Sequence, residues 1–313
     1  MIVTVTPNTG IDYILTVPGL PLNRTVRASQ TVWGMGGKAT DVSWILGKLG
    51  TPSLALGFAA GSSGDQMVEM LQARGVATDF VTVEGETRIN IILIQEDGSG
   101  YSTFTARTLR VEPHHLEAFE RKFAVALERA SCLVIGGSLP DGVEPGFFAQ
   151  AISQARRGGI PVVFDSSGAA LRTGVQAGPT VIKPNEAEIA DLLGKTPHSW
   201  DEIRQAACRV QELYGTAVVV TMGGQGALAV WGQQCYRIPP LQVPVVSAAG
   251  SGDGVLAGLA LALSGGFLPE QGLRVGFALA SAILLTPVTA DYNLEDYHAL
   301  SPQIELIPCT PQD

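Results

Sequence analysis

What the chain lacks narrows it first. It has only four cysteines, Cys132, Cys208, Cys235 and Cys309, with no C-x-x-C pair among them. Spacing that wide argues against disulfides and against a zinc site, so reduced thiols in a cytoplasmic protein are expected. Positive charge is also short: 20 Lys and Arg stand against 29 Asp and Glu, a net −9 with no basic block. Neither nucleic acid nor an anionic membrane surface would meet a complementary field, and both are excluded as partners. No apolar run is long enough to cross a bilayer. The most apolar stretch, VGFALASAILLTPV between Arg274 and Asp291, contains Pro287 and reads as a core helix. The opening MIVTVTPNTG reads as a strand, without a basic n-region or a signal-type apolar segment.

What is there is a globular composition, 46% hydrophobic and 16% charged, with 37 glycines clustered between periodic segments. Short β-branched runs alternate with helical patterns over most of the length. MIVTVT precedes DVSWILGKLG, SLALGFAA precedes DQMVEMLQARG, CLVIGG precedes GFFAQAISQARRGG, and PVVFDSS and TVIKPN precede EAEIADLLG. That rhythm predicts an α/β fold, a mostly parallel sheet with helices on both faces. Ligands of such sheets bind at the carboxyl ends of the strands. Two segments break the rhythm: 11–33 alternates like strands with no helix, and 87–106 reads as a hairpin around EDGSG. They predict a small antiparallel β lid, or a dimer surface, on one domain spanning 1–313. The sequence shows no internal repeat, low-complexity tract or long linker.

Four glycine-rich turns carry candidate chemistry. In VSAAGSGDGVLAGLALAL, Gly250, Ser251 and Gly252 strip side-chain bulk from a helix N-terminus, where unpaired N–H groups attract phosphate oxygens. Asp253 would repel that phosphate as a ligand but suits a general base that takes a proton from an attacking hydroxyl. A plain glycine turn with a capping acid explains the same residues. WGMGGKATDVSWIL places Gly34, Gly36 and Gly37 before Lys38 and Asp41; it is neither a Walker A loop nor a dinucleotide fingerprint. A substrate-binding loop and a tight turn with a solvated Lys both remain. In TVIKPNEAEIADLL, capping explains Glu186, while Asn185 and Glu188 facing a cleft would organise water around Mg²⁺. The T-M-G-G-Q-G turn after VVV is either a hairpin or bare backbone laid along a nucleotide.

The order of these turns, more than any one of them, closely resembles the ribokinase-like carbohydrate kinases, the phosphofructokinase B family. Within it the chain looks most like the branch holding 1-phosphofructokinase and tagatose-6-phosphate kinase. The resemblance covers nearly the whole length: TVTPNTGID at the start, GGK at 36–38, GETR at 85–88, GSLPDGV at 137–143, DSSGAAL at 165–171, VIKPNEAE at 181–188 and GSGDGVLAG at 250–258.

The resemblance implies a ribokinase-like three-layer α/β/α sandwich whose two irregular β segments form a lid that often pairs subunits into a homodimer. It implies ATP and Mg²⁺ as cofactors. Asp253 would be the catalytic base and Gly250, Ser251 and Gly252 an anion hole. Lys183, Asn185, Thr221, Gly223 and Gly226 would line the ATP site, with Glu188 holding Mg²⁺ through water. Asp12, Gly36 and Gly37 would bind sugar hydroxyls, and Lys38, Arg88 and Ser138 an existing phosphate on the substrate. The chain departs from the family's common G-G-K-G-x-N in having Ala39 and Asp41, and Gly254 stands after the acid where the branch usually has Ser. The implied activity is phosphorylation of a primary hydroxyl of a sugar phosphate, fructose 1-phosphate first. Tagatose 6-phosphate, fructose 6-phosphate, an unphosphorylated sugar or a nucleoside are alternatives, as is a non-catalytic sugar-phosphate sensor.

Overall fold

A computed structural model describes every residue except 22, 107–108 and 311–313, so one residue of the lid segment 11–33 lies outside the described residues. The strand Ile2–Thr6 is buried at all five positions, as a β-branched run covered on both faces must be. Successive side chains of one strand point to opposite faces, and the core divides accordingly. Val3, Val5, Leu133 and Ile135 enter one apolar cluster, while Ile2, Cys132 and Val134 enter another. The first cluster is closed by Phe119, Phe123, Phe148, Ile152, Ile203 and Val210 from one set of helices. The second is closed by Val42, Ile45, Met67, Leu71, Leu256 and Leu279 from the other. Two helix layers therefore sandwich the sheet, as predicted.

Among the described residues the sheet has eleven strands. Ile2–Thr6 lies parallel to both Ser53–Ala59 and Cys132–Gly136. Val162–Asp165, Val181–Ile182 and Ala217–Thr221 continue the parallel order. Beyond them Ala227–Trp231, Gln234–Ile238 and Ile307–Cys309 turn antiparallel toward that edge. In the last pair Cys235 stands directly opposite Cys309, with Cα atoms 5.0 Å apart, and the two form a disulfide. This corrects the expectation of reduced thiols at those positions: 74 residues of separation hid a register that puts the two side chains on one face.

Helix Ser251–Gly265 is packed against Pro269–Ile283 so closely that a Cβ on Gly258 would stand 2.2 Å from the Gly276 nitrogen. The latter helix contains most of the apolar stretch noted above and ends before Pro287. No helix among the described residues is long and apolar enough to cross a membrane.

Both irregular segments form hairpins, Gly10–Val17 with Gln30–Gly36 and Arg88–Gln95 with Tyr101–Phe104. Each hairpin is antiparallel, and Gly10–Val17 joins Arg88–Gln95 in parallel to make a four-stranded sheet. In RINIILIQ, Asn90, Ile92 and Ile94 are buried toward the body. The opposite set includes Ile89, and with Trp33, Tyr101 and Phe104 it leaves large apolar side chains exposed on the lid. The GETR stretch ties lid to body. Glu86 accepts from the Ser63 N–H and hydroxyl at the start of helix Gly61–Ala73, and Thr87 Oγ1 accepts from the Ala60 N–H.

Candidate active site

Asp165 and Lys183, at or just past the carboxyl ends of two parallel strands, lie near Asp253 at the start of helix Ser251–Gly265. Gly250 caps it at φ 80°, where a Cβ would collide with the Ala290 nitrogen at 2.3 Å, so only glycine fits. Asp253 occupies the first turn and is almost wholly buried. Burial lifts its carboxyl to about 6, while Lys38 and Lys183 pull it down and Asp165 pushes it up. Of the expected anion-hole donors, the Ser251 N–H is taken by the Ala248 carbonyl at 3.2 Å. No acceptor among the described residues takes the Gly250 or Gly252 N–H, and these are the donors the turn offers to an anion.

Lys183 and Lys38 meet at Asp165, which ends the strand Val162–Asp165. The Asp165 Oδ2 accepts from Lys38 Nζ at 2.8 Å and lies 3.1 Å from Lys183 Nζ. Burial alone would raise the Asp165 carboxyl, but Lys183 and then Lys38 outweigh it and hold it below the ordinary carboxylate range. Sequence reasoning gave Asp165 no role. Its position at the end of a buried parallel strand was the available signal. Lys38 is thereby bound to an acid and not to a substrate-facing cluster alone. Its stem passes Gly137, beside Ser138, whose hydroxyl accepts from Asn8 Nδ2 at 2.9 Å.

At the lid end Asp12 is held from two sides. Its Oδ1 accepts from Asn90 Nδ2 and its Oδ2 from the Thr289 hydroxyl, both at 2.7 Å. Gly36 lies against it, and a Cβ there would come within 2.6 Å of Oδ1. Arg88 feels the charges of Asp12 and Asp41 and reaches Thr105 Oγ1 at 3.3 Å. Asp41, in the helix Lys38–Lys48, is buried beside both Asp12 and Asp253. Asn90 and Thr289 escaped the sequence reading because neither stands in a glycine-rich turn. Gly37, at φ 100°, caps that helix and leads Lys38 into the site.

A cleft of about 450 Å³ opens on the other side of Gly252. Thr221, Gly223, Gly224, Gly226, Ser251 and Gly252 form its polar margin, with apolar walls from Val243, Val255, Phe277 and Leu284. Thus the T-M-G-G-Q-G turn and the G-S-G-D turn share one cavity, large enough for a nucleotide base and sugar. A Cβ on Gly252 would stand 3.4 Å from Lys183 Nζ, so this ammonium reaches the helix start between cleft and acids. Asn185 bridges to Thr221 and caps helix Glu186–Leu193. Its Oδ1 accepts from the Glu188 N–H at 2.9 Å, and Glu188 Oε2 accepts from the Asn185 N–H at 2.8 Å. The pair is a capping box first. Glu188 still faces the site: burial raises its carboxyl, and the negative charge of Asp165 raises it further.

No group of three or more His, Cys, Asp or Glu among the described residues forms a metal cage. Glu188 and the unpartnered, buried Asp165 Oδ1 are instead suited to a hard cation shared with phosphate oxygens and water.

Comparison with known proteins places the chain as a whole. The profile of the pfkB family carbohydrate kinases matches residues 3–296. The phosphofructokinase-2 of Escherichia coli, solved with potassium, superposes with a TM-score of 0.89 at 28% identity, over 96% of this chain and 98% of that one. A Thermotoga maritima protein described as a possible 1-phosphofructokinase superposes with a TM-score of 0.90 at 27% identity, over 99% of this chain and 100% of that one.

Proposed function

The chain belongs to the pfkB family of carbohydrate kinases, and on that premise we propose that it transfers the terminal phosphoryl group of ATP to a primary hydroxyl of a sugar phosphate, fructose 1-phosphate first. The observation that carries the reading is Asp253: a buried carboxylate on the first turn of a helix, between a nucleotide-sized cleft and an acid-lined sugar end. Its carboxyl, lifted to about 6, is ionised near neutrality yet basic enough to accept a proton from an incoming alcohol.

The cleft walled by Val243, Phe277 and Leu284 takes the base, and Thr221, Gly223 and Gly226 the sugar and phosphates. Lys183 and Asn185 lie beside the phosphate chain, and the Gly250 and Gly252 N–H groups receive the charge that builds on the transferring group. Mg²⁺ bound with ATP would neutralise phosphate charge, held by Glu188 through water. Asp12, fixed by Asn90 and Thr289 and backed by Gly36 and Gly37, accepts hydrogen bonds from acceptor hydroxyls. Lys38, Arg88 and Ser138 receive the acceptor's own phosphate. We place a homodimer interface on the lid, where Trp33, Ile89, Tyr101 and Phe104 are exposed. The related Escherichia coli phosphofructokinase-2 has been solved in a tetrameric inhibited form.

A second reading keeps the kinase and removes the phosphate from the acceptor. It is favoured by Lys38, whose Nζ is paired with Asp165 at 2.8 Å, leaving Arg88 as the less committed cation. An ADP-release screen over ketose phosphates, free hexoses, pentoses and nucleosides separates the two. Turnover with phosphorylated ketoses supports the first; turnover confined to neutral sugars sinks it. Asp253→Asn should lower turnover by roughly 10²–10⁴-fold, the usual worth of a general base. Wild-type turnover in that variant would remove Asp253 from the mechanism.

A further inference from the structure

Five carboxyl groups, Asp12, Asp41, Asp165, Asp253 and Glu188, face only three cations, Lys38, Lys183 and Arg88, in the buried site. Four of the acids have a visible reason to be charged or wet. Asp12 has an N–H or O–H donor on each oxygen. Asp165 has two lysines, Glu188 accepts a backbone N–H and is partly exposed, and Asp253 lies near both lysines at a helix N-terminus. Asp41 is the exception. It is 4% exposed, and no N–H or O–H donor among the described residues reaches its buried Oδ1. The Oδ1 of Asp253 is equally buried and equally without a donor. The two carboxyl groups lie within hydrogen-bonding contact of each other.

Two buried acceptor-only groups in contact repel each other and leave both oxygens unsatisfied. One proton between them removes both penalties. We propose that Asp41 and Asp253 share a single proton that resides on Asp41 and is donated to Asp253, making Asp41 a neutral positioning residue for the base. The side of the proton follows from the surroundings. From its own helix Asp41 faces Lys38; from the strands Gly10–Val17 and Arg88–Gln95 it faces Asp12 and Arg88; from helix Ser251–Gly265 it faces Asp253. Two of those four neighbours are acids, and Lys38 is the weakest of the main influences on Asp41. Asp253 has both Lys38 and Lys183 to favour its charge. Burial first, then the charges of Asp253 and Asp12, raise the Asp41 carboxyl well above its ordinary value, the direction that favours the proton on Asp41.

The donated hydrogen bond orients Asp253 and keeps it ionised. When Asp41 ionises in alkali, the donor disappears and a second negative charge arises where the phosphoryl group must approach. The inference rests on Asp253 as the base, so one readout must not depend on activity. Infrared spectroscopy of the wild-type protein at neutral pH should show the C=O stretch of a protonated carboxylic acid that is missing from Asp41→Asn. Absence of the band in the wild type, or its survival in Asp41→Asn, overturns the proposal. If Asp41→Asn fails to fold, carboxyl NMR of wild-type protein labelled in aspartate serves instead: every buried Asp ionised at pH 7 overturns it.

Kinetics supply the second readout. Wild-type kcat/KM should fall in acid and again in alkali. Asp41→Asn keeps an N–H donor and cannot ionise, so it should retain the acid limb and lose the alkaline one. Asp41→Ala has no donor, and its acid limb should move up by about one to two pH units, as expected when a hydrogen bond to a charged group is lost. Unchanged profiles in both variants overturn the proposal. A fully active Asp253→Asn with the infrared band intact would overturn the base assignment and leave the shared proton standing.

Discussion

Asp165→Asn is the most searching perturbation of this site, because the substitution removes one charge and almost no volume. In the wild type, Asp165 Oδ2 lies 2.8 Å from Lys38 Nζ and 3.1 Å from Lys183 Nζ. The side chains of Asp165 and Lys183 are 1% and 4% exposed, whereas that of Lys38 is 38% exposed. Solvent screens the Lys38 arm, which therefore contributes little. The Lys183 arm is different: without Asp165 its ammonium is buried and unpaired, a loss of about 3–5 kcal/mol. At roughly 2–4 °C per kcal/mol for domains somewhat smaller than this one, the melting temperature should drop by about 6–20 °C at neutral pH.

The pH dependence gives the reasoning a second edge. The lysines hold the folded-state value of Asp165 below its ordinary one despite burial. A depressed carboxylate contributes stability that is present above the unfolded value, about 3.9, and is lost as pH falls through the folded value. The gap between wild type and Asp165→Asn should therefore be widest near neutrality and close below about pH 4. Thermal melts followed by circular dichroism from acid to neutral buffers measure it. A variant melting within about 2 °C of wild type at pH 7, or a gap that widens in acid, would refute the account of Asp165 as the counter-ion of a buried lysine.

The acid limb of kcat/KM in the wild type should have its midpoint near pH 6, with activity rising as Asp253 loses its proton; a profile flat down to pH 5 would contradict the raised carboxyl. Gly250→Ala should both destabilise the fold and depress turnover, since its Cβ would meet the Ala290 nitrogen at 2.3 Å with φ at 80°; unchanged melting and turnover would mean the turn relaxes freely. Thiol titration of the unfolded, non-reduced protein should find two thiols, those of Cys132 and Cys208, and Cys235→Ser should lower stability by about 2–4 kcal/mol; four titratable thiols would remove the disulfide.

Much of the scaffold was readable from periodicity. Strand–helix alternation gave the layered sheet, EDGSG gave the hairpin between Arg88–Gln95 and Tyr101–Phe104, and the NEAE run gave the capped helix Glu186–Leu193. These are local signals, in which hydrophobic spacing and turn chemistry act within a few residues. The site was readable only as motifs. That Thr221, Gly223, Ser251 and Gly252 line one cleft depends on strand order, which no short stretch encodes. One partner of Asp12, Thr289, is 277 residues away, and the partner of Lys38 is 127 residues away. The disulfide was missed for the same reason: cysteine spacing speaks to local frameworks, whereas Cys235 and Cys309 are joined by cross-strand register. Asp41 was visible as an acid in an unexpected place, but its contact with Asp253 arises where two helix N-termini meet.

That meeting point is held by residues 286–292, which carry no recognisable motif. Thr289 donates to Asp12 at 2.7 Å, and the next residue, Ala290, donates its N–H to the Ala249 carbonyl at 3.3 Å while packing under Gly250. Ala290 sits at φ 53°, a conformation that costs a non-glycine residue roughly 1–3 kcal/mol and persists only where its neighbours over-determine it. They do. Asp291 is ion-paired with Lys48 at 2.8 Å and with Arg74 at 2.9 Å, and the Arg74 guanidinium lies 3.2 Å from the centroid of the Trp44 ring. The Tyr292 hydroxyl donates to the Ile45 carbonyl at 3.2 Å, fastening the segment to the helix that carries Lys38 and Asp41. Consecutive residues thus locate Asp12 and Gly250 relative to each other. On the proposed reading, the separation between acceptor and anion hole is thereby set by one strained turn.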